Sequence, residues 1–193
     1  MNEVKKSIPN ILTITRILLA VGCTYYAFKH DKWSLKISLG LFLLASFTDF
    51  LDGYLARKWN TTTNFGKITD PIADKLLILG VLFSFSMKEV VPFLFTIIIA
   101  FREVILTFIR LVLAPKKIVI ASVSSGKFKT FSQILCLISI YLILIFIKPL
   151  TEKYGIKAVH LTIYILVIWM VIVTIYSGIE FFILNKRAIK KLM

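Results

Sequence analysis

Four aspartates in an otherwise largely apolar chain are the residues best suited to chemistry. They are Asp49, Asp52, Asp70 and Asp74, and long apolar segments precede and follow them. A carboxylate inside a membrane-spanning segment costs roughly 3 kcal/mol, so each of these side chains requires a compensating charge. One or two divalent cations would supply that charge. The sequence therefore predicts a metal site built from these aspartates.

The first two aspartates lie near the end of a predicted helix that reaches about Arg57. Asp49 and Asp52 are three residues apart, so they share one face of that helix. Gly53 and Ala56 fall on the same face. Because they have little or no side chain, another backbone or a ligand can approach this face closely. This stretch is predicted to form a shallow acidic trough.

The other two aspartates are predicted to begin the next helix. Asp70 precedes Pro71, and this order favours Asp70 as the N-cap and Pro71 as the first helical residue. Asp74 then lies one turn further along on the same side. Gly66 would allow a tight turn between the two helices. Neighbouring helices would thus present two carboxylates each to one point.

An oxygen-only cluster of this kind favours a hard cation such as Mg²⁺ or Mn²⁺ over zinc or copper. Four acids provide ligands for two such ions, and two-metal sites commonly act on phosphate esters. The alternative is a structural role, in which the aspartates cap helices and pair with nearby cations. Those cations are Arg57, Lys58, Lys67 and Lys75.

Composition and length place the chain in a membrane. It has 193 residues, of which 58% are hydrophobic, and they occur in long blocks. The blocks approach the roughly 20 residues needed to cross a bilayer. Runs of this continuity predict helices and exclude barrel strands. We expect one all-α membrane domain over 1–193, with a short interfacial segment (1–7) before Pro9 and six transmembrane helices, centred on 11–28, 33–55, 71–86, 91–113, 128–147 and 159–184.

The basic residues predict the orientation of these helices. The net charge is +14, and most lysines and arginines fall on one face of the six-helix arrangement. The positive-inside rule places that face, with both termini and the aspartates, on the cytoplasmic side of the cell membrane. The basic residues form short collars beside the helices rather than a stripe. Membrane lipids and phosphorylated substrates are therefore the expected partners, and nucleic acid is not.

The spacing of residues 49–74 resembles a known family signature. Its order is D-x-x-D-G-x-x-A-R, eight residues, G, three residues, D, three residues and D, and every position is filled here. This is the signature of the CDP-alcohol phosphotransferase family. The resemblance implies a six-helix membrane fold, frequently a homodimer, that displaces CMP from a CDP-linked donor at a divalent-metal site.

The resemblance also implies roles for the residues of the motif. The implied ligands of Mg²⁺ or Mn²⁺ are Asp49, Asp52, Asp70 and Asp74. The residues implied to hold the cytidine diphosphate are Asp52, Gly53, Ala56 and Arg57. Asp74 would bind the second metal or act as the catalytic base toward the acceptor hydroxyl.

The wider sequence resembles one branch of the family. Enzymes of that branch transfer the phosphatidyl group of CDP-diacylglycerol to glycerol 3-phosphate, which gives phosphatidylglycerol phosphate and CMP. The similar stretches are 9–13 with Arg16, 52–60, 65–67, 70–75, 102–103 with Arg110, and 126–130. The last apolar block contributes little to this resemblance. Relatives with the same chemistry accept inositol phosphate, serine or phosphatidylglycerol, and these acceptors remain alternatives.

A second group of cations could bind the phosphate of the acceptor. Arg102 and Arg110 lie in the fourth apolar block, and Lys127 and Lys129 at the start of the fifth. Arginine can hold phosphate through two parallel hydrogen bonds, so Arg102 or Arg110 is the preferred anchor, with Lys129 in support. The alternative is that Glu103 pairs with Arg110 and that the lysines only follow the positive-inside rule.

Two functions of other classes also remain open at this stage. The acidic cluster could be the permeation site of a divalent-cation transporter, or the chain could be a non-catalytic membrane scaffold. Transport predicts ion flux into proteoliposomes and no requirement for Arg57, Gly53 or Ala56. A scaffold predicts that Asp74→Asn changes no activity.

Overall fold

The computed structural model describes the backbone of residues 2–59, 64–113 and 124–190, and the side chains of residues 11–49, 51, 69, 72–113 and 125–186. Every regular element within these ranges is an α-helix, which confirms the all-helical prediction. The helices are α1 (Asn2–Phe28), α2 (Lys32–Trp59), α3 (Asn64–Met87), α4 (Phe93–Leu113), α5 (Ser124–Ile145), α6 (Ile147–Tyr154) and α7 (Ile156–Lys190). They form two compact units, residues 1–88 and 89–193.

The first unit is built around α1, which packs along both α2 and α3. Buried side chains recur every three or four residues of α1, at Thr13, Arg16, Ala20, Cys23 and Ala27. This spacing forms one continuous stripe along the helix. Most of these side chains are small, which lets the neighbouring helices approach closely.

Two contacts show how closely α1 lies against its neighbours. Ser38 in α2 donates a hydrogen bond of 2.7 Å to the carbonyl oxygen of Cys23. A Cβ atom added at Gly80 in α3 would overlap the hydroxyl group of Thr24. Close packing of α1 against α3 therefore favours glycine at position 80.

Hydrogen bonds at the turns connect the helix ends at one end of this unit. Lys88, just after α3, donates a hydrogen bond to the carbonyl oxygen of Lys29, just after α1. Asp31 accepts a hydrogen bond of 2.8 Å from the Ser34 N–H and caps α2. Hydrogen bonding to Ser34 holds the pKa of Asp31 below its usual range. The turn after α1 and the end of α3 thus lie at the same end of the unit.

Two helix boundaries differ from those predicted. α1 begins at Asn2 and continues through Pro9, so the first residues are not a separate element. α3 begins at Asn64, so Gly66 and Asp70 lie inside the helix rather than in a turn and at an N-cap. A capping preference is worth about 1 kcal/mol. A proline inside a helix costs about 3 kcal/mol, but membrane helices tolerate it where neighbouring groups bond the freed backbone carbonyl. These local signals are too weak to end a helix whose other turns are retained.

The second unit is organised around α7, which packs against α4, α5 and α6. Its apolar core includes Leu137, Ile140, Tyr141, Val167 and Met170. Polar side chains also cross between α5 and α7. Gln133 donates a hydrogen bond of 2.9 Å to Thr174, and the Trp169 indole donates one of 2.7 Å to Ser132. Because buried polar groups are costly without partners, these bonds fix α5 and α7 in one register.

A short helix that the sequence did not predict lies between α5 and α7. α6 spans Ile147–Tyr154 and begins two residues after the end of α5. Gly155 follows with φ of 80°, a left-handed conformation that favours glycine. α7 starts at the next residue. The connection between the two long helices is therefore itself largely helical.

Helix length and surface identify the chain as a membrane protein. Within the described residues, the helical segments long and apolar enough to cross a membrane are Ile11–Phe28, Ser125–Ile145 and Ile156–Lys186. The apolar sequence of α4 is interrupted by three charged residues, which are Arg102, Glu103 and Arg110. Large apolar side chains such as Leu18 (68%) and Phe101 (67%) are exposed, and surfaces of this kind suit lipid. The number of six spans stays a prediction.

Candidate active site

Three helices of the first unit meet at the guanidinium group of Arg16. Its Nη1 atom lies 2.9 Å from Oδ1 of Asp49 in α2 and 3.0 Å from Oδ1 of Asp74 in α3. The Arg16 side chain is fully buried, whereas the two aspartate side chains are 44% and 35% exposed. The structure thus brings together one acid from each of the two predicted helices. We call these three residues the Arg16 cluster.

The Arg16 cluster lies far from the turns that close the unit. At 1.5 Å per residue, Arg16 lies about 20 Å along the helix axis from Lys29. Asp74 lies at a similar distance from Lys88 along α3. Because Lys29 and Lys88 are in contact, the Arg16 cluster occupies the opposite part of the unit.

Several residues of the predicted site have only their backbone described. α2 continues to Trp59, two residues beyond the predicted end at about Arg57, and α3 begins at Asn64. The predicted site residues outside the described side chains are Asp52, Gly53, Ala56, Arg57 and Asp70. Their roles stay predictions.

Asp49 and Asp74 fit the ligand chemistry of a divalent cation. Each uses Oδ1 to bind Arg16, and a carboxylate has a second oxygen that can coordinate a metal. Both side chains are partly exposed, so a cation can reach them. Oxygen ligands of this type suit Mg²⁺ or Mn²⁺. No group of three or more His, Cys, Asp or Glu occurs among the described side chains, so a fuller ligand set would require Asp52 and Asp70.

Arg16 is the member of this cluster that sequence analysis did not assign to the site. It lies in the apolar part of α1, where an unpaired cation would be costly. That cost is a signal that Arg16 must bind an acid on another helix. The sequence alone does not say which acid.

A second polar cluster, in the other unit, is centred on Glu103. Its Oε1 atom accepts a hydrogen bond from Lys129 in α5 and another, of 3.1 Å, from Nη1 of Arg102. The side chains of Glu103 and Lys129 are each 2% exposed, and that of Arg102 is 15% exposed. Two cations around one carboxylate leave net positive charge, which suits an anion such as phosphate.

α7 completes this Glu103 cluster. Nη2 of Arg102 donates a hydrogen bond of 2.8 Å to Oγ of Ser177, and Oγ of Ser125 lies 3.3 Å from the same oxygen. A Cβ atom added at Gly178 would lie 3.4 Å from Cγ of Arg102. Ser177 and Gly178 therefore form a wall against which Arg102 lies. Neither residue belongs to the site that the sequence predicts.

The other two cations proposed for acceptor binding lie elsewhere. Arg110 has its guanidinium group 5.2 Å from the centre of the Phe181 ring. Lys127 is exposed. Glu103 forms ion pairs with Arg102 and Lys129, and its pairing with Arg110 stays a prediction.

Comparison with known families matches residues 6–177 to CDP-alcohol phosphatidyltransferases. The chain belongs to this family. The matched range includes every residue of the Arg16 cluster, and all of the Glu103 cluster except Gly178, which lies one residue beyond it. Both clusters are therefore parts of a CDP-alcohol phosphatidyltransferase domain.

Two relatives carry the same name, CDP-diacylglycerol–glycerol-3-phosphate 3-phosphatidyltransferase. The protein from Rickettsia felis is 39% identical over 135 residues, which is 70% of this chain and 75% of the relative. The protein from Bacillus subtilis is 38% identical over 198 residues, which covers 95% of this chain and 97% of the relative. This CDP-alcohol phosphatidyltransferase is accordingly a transferase enzyme.

Proposed function

We propose that this chain transfers the phosphatidyl group of CDP-diacylglycerol to sn-glycerol 3-phosphate, giving phosphatidylglycerol phosphate and CMP. Relatives in Rickettsia felis and Bacillus subtilis are named for this reaction. The structural observation that carries the proposal is the meeting of Asp49 and Asp74, from two helices, at one point. Membership in a transferase family gives no support to a cation transporter or a scaffold.

The reaction needs a base for the hydroxyl group of the acceptor. The hydroxyl oxygen forms a bond to the phosphatidyl phosphorus, and the bond from that phosphorus to the bridging oxygen of CMP breaks. Asp74 is our candidate to take the hydroxyl proton. It is partly exposed and binds Arg16 through one oxygen, so its other oxygen can accept a proton. No covalent enzyme intermediate is needed.

The donor site is proposed from the residues of the motif. The proposed ligands of one or two Mg²⁺ or Mn²⁺ ions are Asp49, Asp52, Asp70 and Asp74. Such ions, when bound, neutralise negative charge on the diphosphate. The residues proposed to bind the cytidine diphosphate are Asp52, Gly53, Ala56 and Arg57.

The Glu103 cluster is proposed to bind the phosphate group of the acceptor. Arg102 and Lys129 supply two positive charges against one carboxylate. The planar guanidinium of Arg102 can hold two phosphate oxygens at once. Arg110 and Lys127 would act only as supporting charges. A phosphate site favours glycerol 3-phosphate or inositol phosphate over serine, which has no phosphate group.

The location of the enzyme in the membrane also belongs to this proposal. We expect six spans, with both termini and the active site on the cytoplasmic side, because the basic residues collect there. The donor would then keep its acyl chains in lipid while its nucleotide reaches water. We further expect a homodimer, as the family resemblance implies.

The proposal is tested by CMP release from CDP-diacylglycerol by the purified protein with Mg²⁺. We expect release with glycerol 3-phosphate, loss of release on addition of EDTA, and at least a roughly 100-fold lower kcat for Asp74→Asn, because the base is removed. Binding of the donor should largely survive this substitution.

The matched control is Asp31→Asn, which changes an acid at the other end of the same unit and should retain activity. Release with inositol phosphate or serine but not with glycerol 3-phosphate would reject the proposed acceptor. Full activity of Asp74→Asn would reject its role as base.

A further inference from the structure

The first unit contains a buried cation that the proposed reaction does not use directly. Arg16 is fully buried in α1 and is among the largest side chains without exposed surface. Burying a guanidinium group is costly unless its charge is compensated by well-placed acids. Its presence in an apolar helix therefore needs a reason.

The contacts of Arg16 supply that reason. A single nitrogen, Nη1, binds Oδ1 of Asp49 at 2.9 Å and Oδ1 of Asp74 at 3.0 Å. These acids belong to α2 and α3, which share only a short contact within the described residues, whereas α1 packs along both. Arg16 is thus placed to tie the two acid-bearing helices together.

Two carboxylates in one partly desolvated place repel each other. A cation between them converts that repulsion into attraction. We propose that Arg16 is a positioning residue: it gathers Asp49 and Asp74 and neutralises part of their charge, so that the pair is assembled independently of any bound ion. The naming of these acids as cation ligands rests on the proposed function, but their dependence on Arg16 does not.

This role makes the effect of neutralising an acid depend on Arg16. In the native chain, Asp74→Asn removes one ion pair and should lower the melting temperature slightly. In an Arg16→Met chain, the two acids face each other without that cation. The same Asp74→Asn substitution should then relieve repulsion and raise the melting temperature.

The experiment measures thermal unfolding of purified protein in detergent, with EDTA present. Arg16→Met should lower the melting temperature by roughly 10 °C, as expected for breaking an ion pair with one fully buried member. Adding Asp74→Asn should recover at least half of that loss, and Arg16→Lys should lose less than Arg16→Met. If Asp74→Asn lowers the melting temperature equally in both backgrounds, the proposal is overturned.

Lys88→Met is the matched control for the loss of a cation. Lys88 lies near the far end of α3 and binds the Lys29 carbonyl oxygen, so Asp74→Asn should have the same effect with or without it. If Arg16→Met cannot be purified folded, the triple variant Arg16→Met, Asp49→Asn, Asp74→Asn decides. Its recovery as folded protein supports the proposal, and its failure overturns it, because the acids would then not be the cause.

A second readout separates this proposal from the proposed metal site. Mg²⁺ or Mn²⁺ in place of EDTA should raise the melting temperature of Arg16→Met more than that of the native chain, since the ion takes over the compensation. If Asp74→Asn raises the melting temperature of Arg16→Met but the metal ion does not, the positioning role is supported and the metal site is rejected. If the metal ion raises the melting temperature of Arg16→Met but Asp74→Asn lowers it, the metal site is supported and the positioning role is overturned.

Discussion

Charges buried among the described side chains are compensated from another helix. Arg16 of α1 binds acids of α2 and α3, and Glu103 of α4 binds Lys129 of α5. Separating such a pair would leave an uncompensated charge in apolar surroundings, and the free-energy cost of that charge keeps the pair together. Substitution of a residue that holds one of these charged side chains in place should therefore have a large effect on function or stability.

Ser177 is such a residue, and its removal should weaken acceptor binding. Its hydroxyl oxygen accepts a hydrogen bond of 2.8 Å from Arg102. A hydrogen bond to a charged group contributes about 1.5–3 kcal/mol, so Ser177→Ala should raise the KM for glycerol 3-phosphate about tenfold or more. The KM for CDP-diacylglycerol should change little. Steady-state CMP release with each substrate varied in turn measures both.

Thr162→Ala is the control for this substitution. Thr162 lies on the same helix, is exposed, and donates its hydrogen bond to Ala158 within that helix. It should leave both KM values unchanged. An equal rise in both KM values for Ser177→Ala would indicate a general loss of structure and contradict the positioning of Arg102.

At the scale of helices, each unit depends on one central element. α1 packs along both partners in the first unit, and α7 packs against three helices in the second. Small side chains and glycine on α1 and α3 let the backbones approach, because packing in membranes depends on close van der Waals contact. The spacing of α1 and α3 in turn sets where Arg16 meets Asp74.

Gly80→Ala tests this close approach. The added methyl group would overlap the Thr24 hydroxyl, which is held by a hydrogen bond of 2.8 Å to the Ala20 carbonyl oxygen. Overpacking costs about 1–3 kcal/mol, more than the gain of about 0.5–1 kcal/mol from replacing a helical glycine. Thermal unfolding in detergent should show a less stable protein, and Thr24→Ala should restore part of the loss.

Gly40→Ala provides the comparison, because a Cβ atom at position 40 of α2 meets nothing within 4 Å. This variant should be as stable as the native chain or slightly more so. Equal effects at the two glycines would mean that helix propensity, not the contact with α1, determines the result.

At the scale of the whole molecule, the membrane decides which surfaces are allowed. Large apolar side chains are exposed along the long helices, including Leu18, Phe101 and Ile183. Exposed lysines occur at the ends of the segment Ile156–Lys186, which is apolar enough to span a bilayer. This segment should therefore carry the chain from one side of the membrane to the other.

Cysteine labelling tests that orientation. Cys23 and Cys136 are both buried, so the native background should be low. A membrane-impermeant maleimide should label Lys153→Cys in intact cells and Lys186→Cys only after the membrane is opened, because the positive-inside rule places the C-terminal collar in the cytoplasm. Labelling of both positions in intact cells would contradict a spanning α7, and the reverse pattern would contradict the orientation.

The sequence predicted those features that depend on neighbours along the chain. Apolar runs predicted helices because a backbone in lipid must form its hydrogen bonds internally. The motif of residues 49–74 identified the family, and its spacing placed acids on two adjacent helices. Local signals failed at Pro9 and at Asp70, where a turn and an N-cap were expected and the helices continue.

Only the tertiary structure decided which charges meet. Arg16 is far in sequence from Asp49 and Asp74, and Glu103 of α4 is paired with Lys129 of α5. Helical periodicity gives the face that a residue occupies, but the rotation and spacing of neighbouring helices determine what that face contacts. These depend on side-chain packing over whole helices, such as the contact between Gly80 and Thr24, which no local pattern encodes.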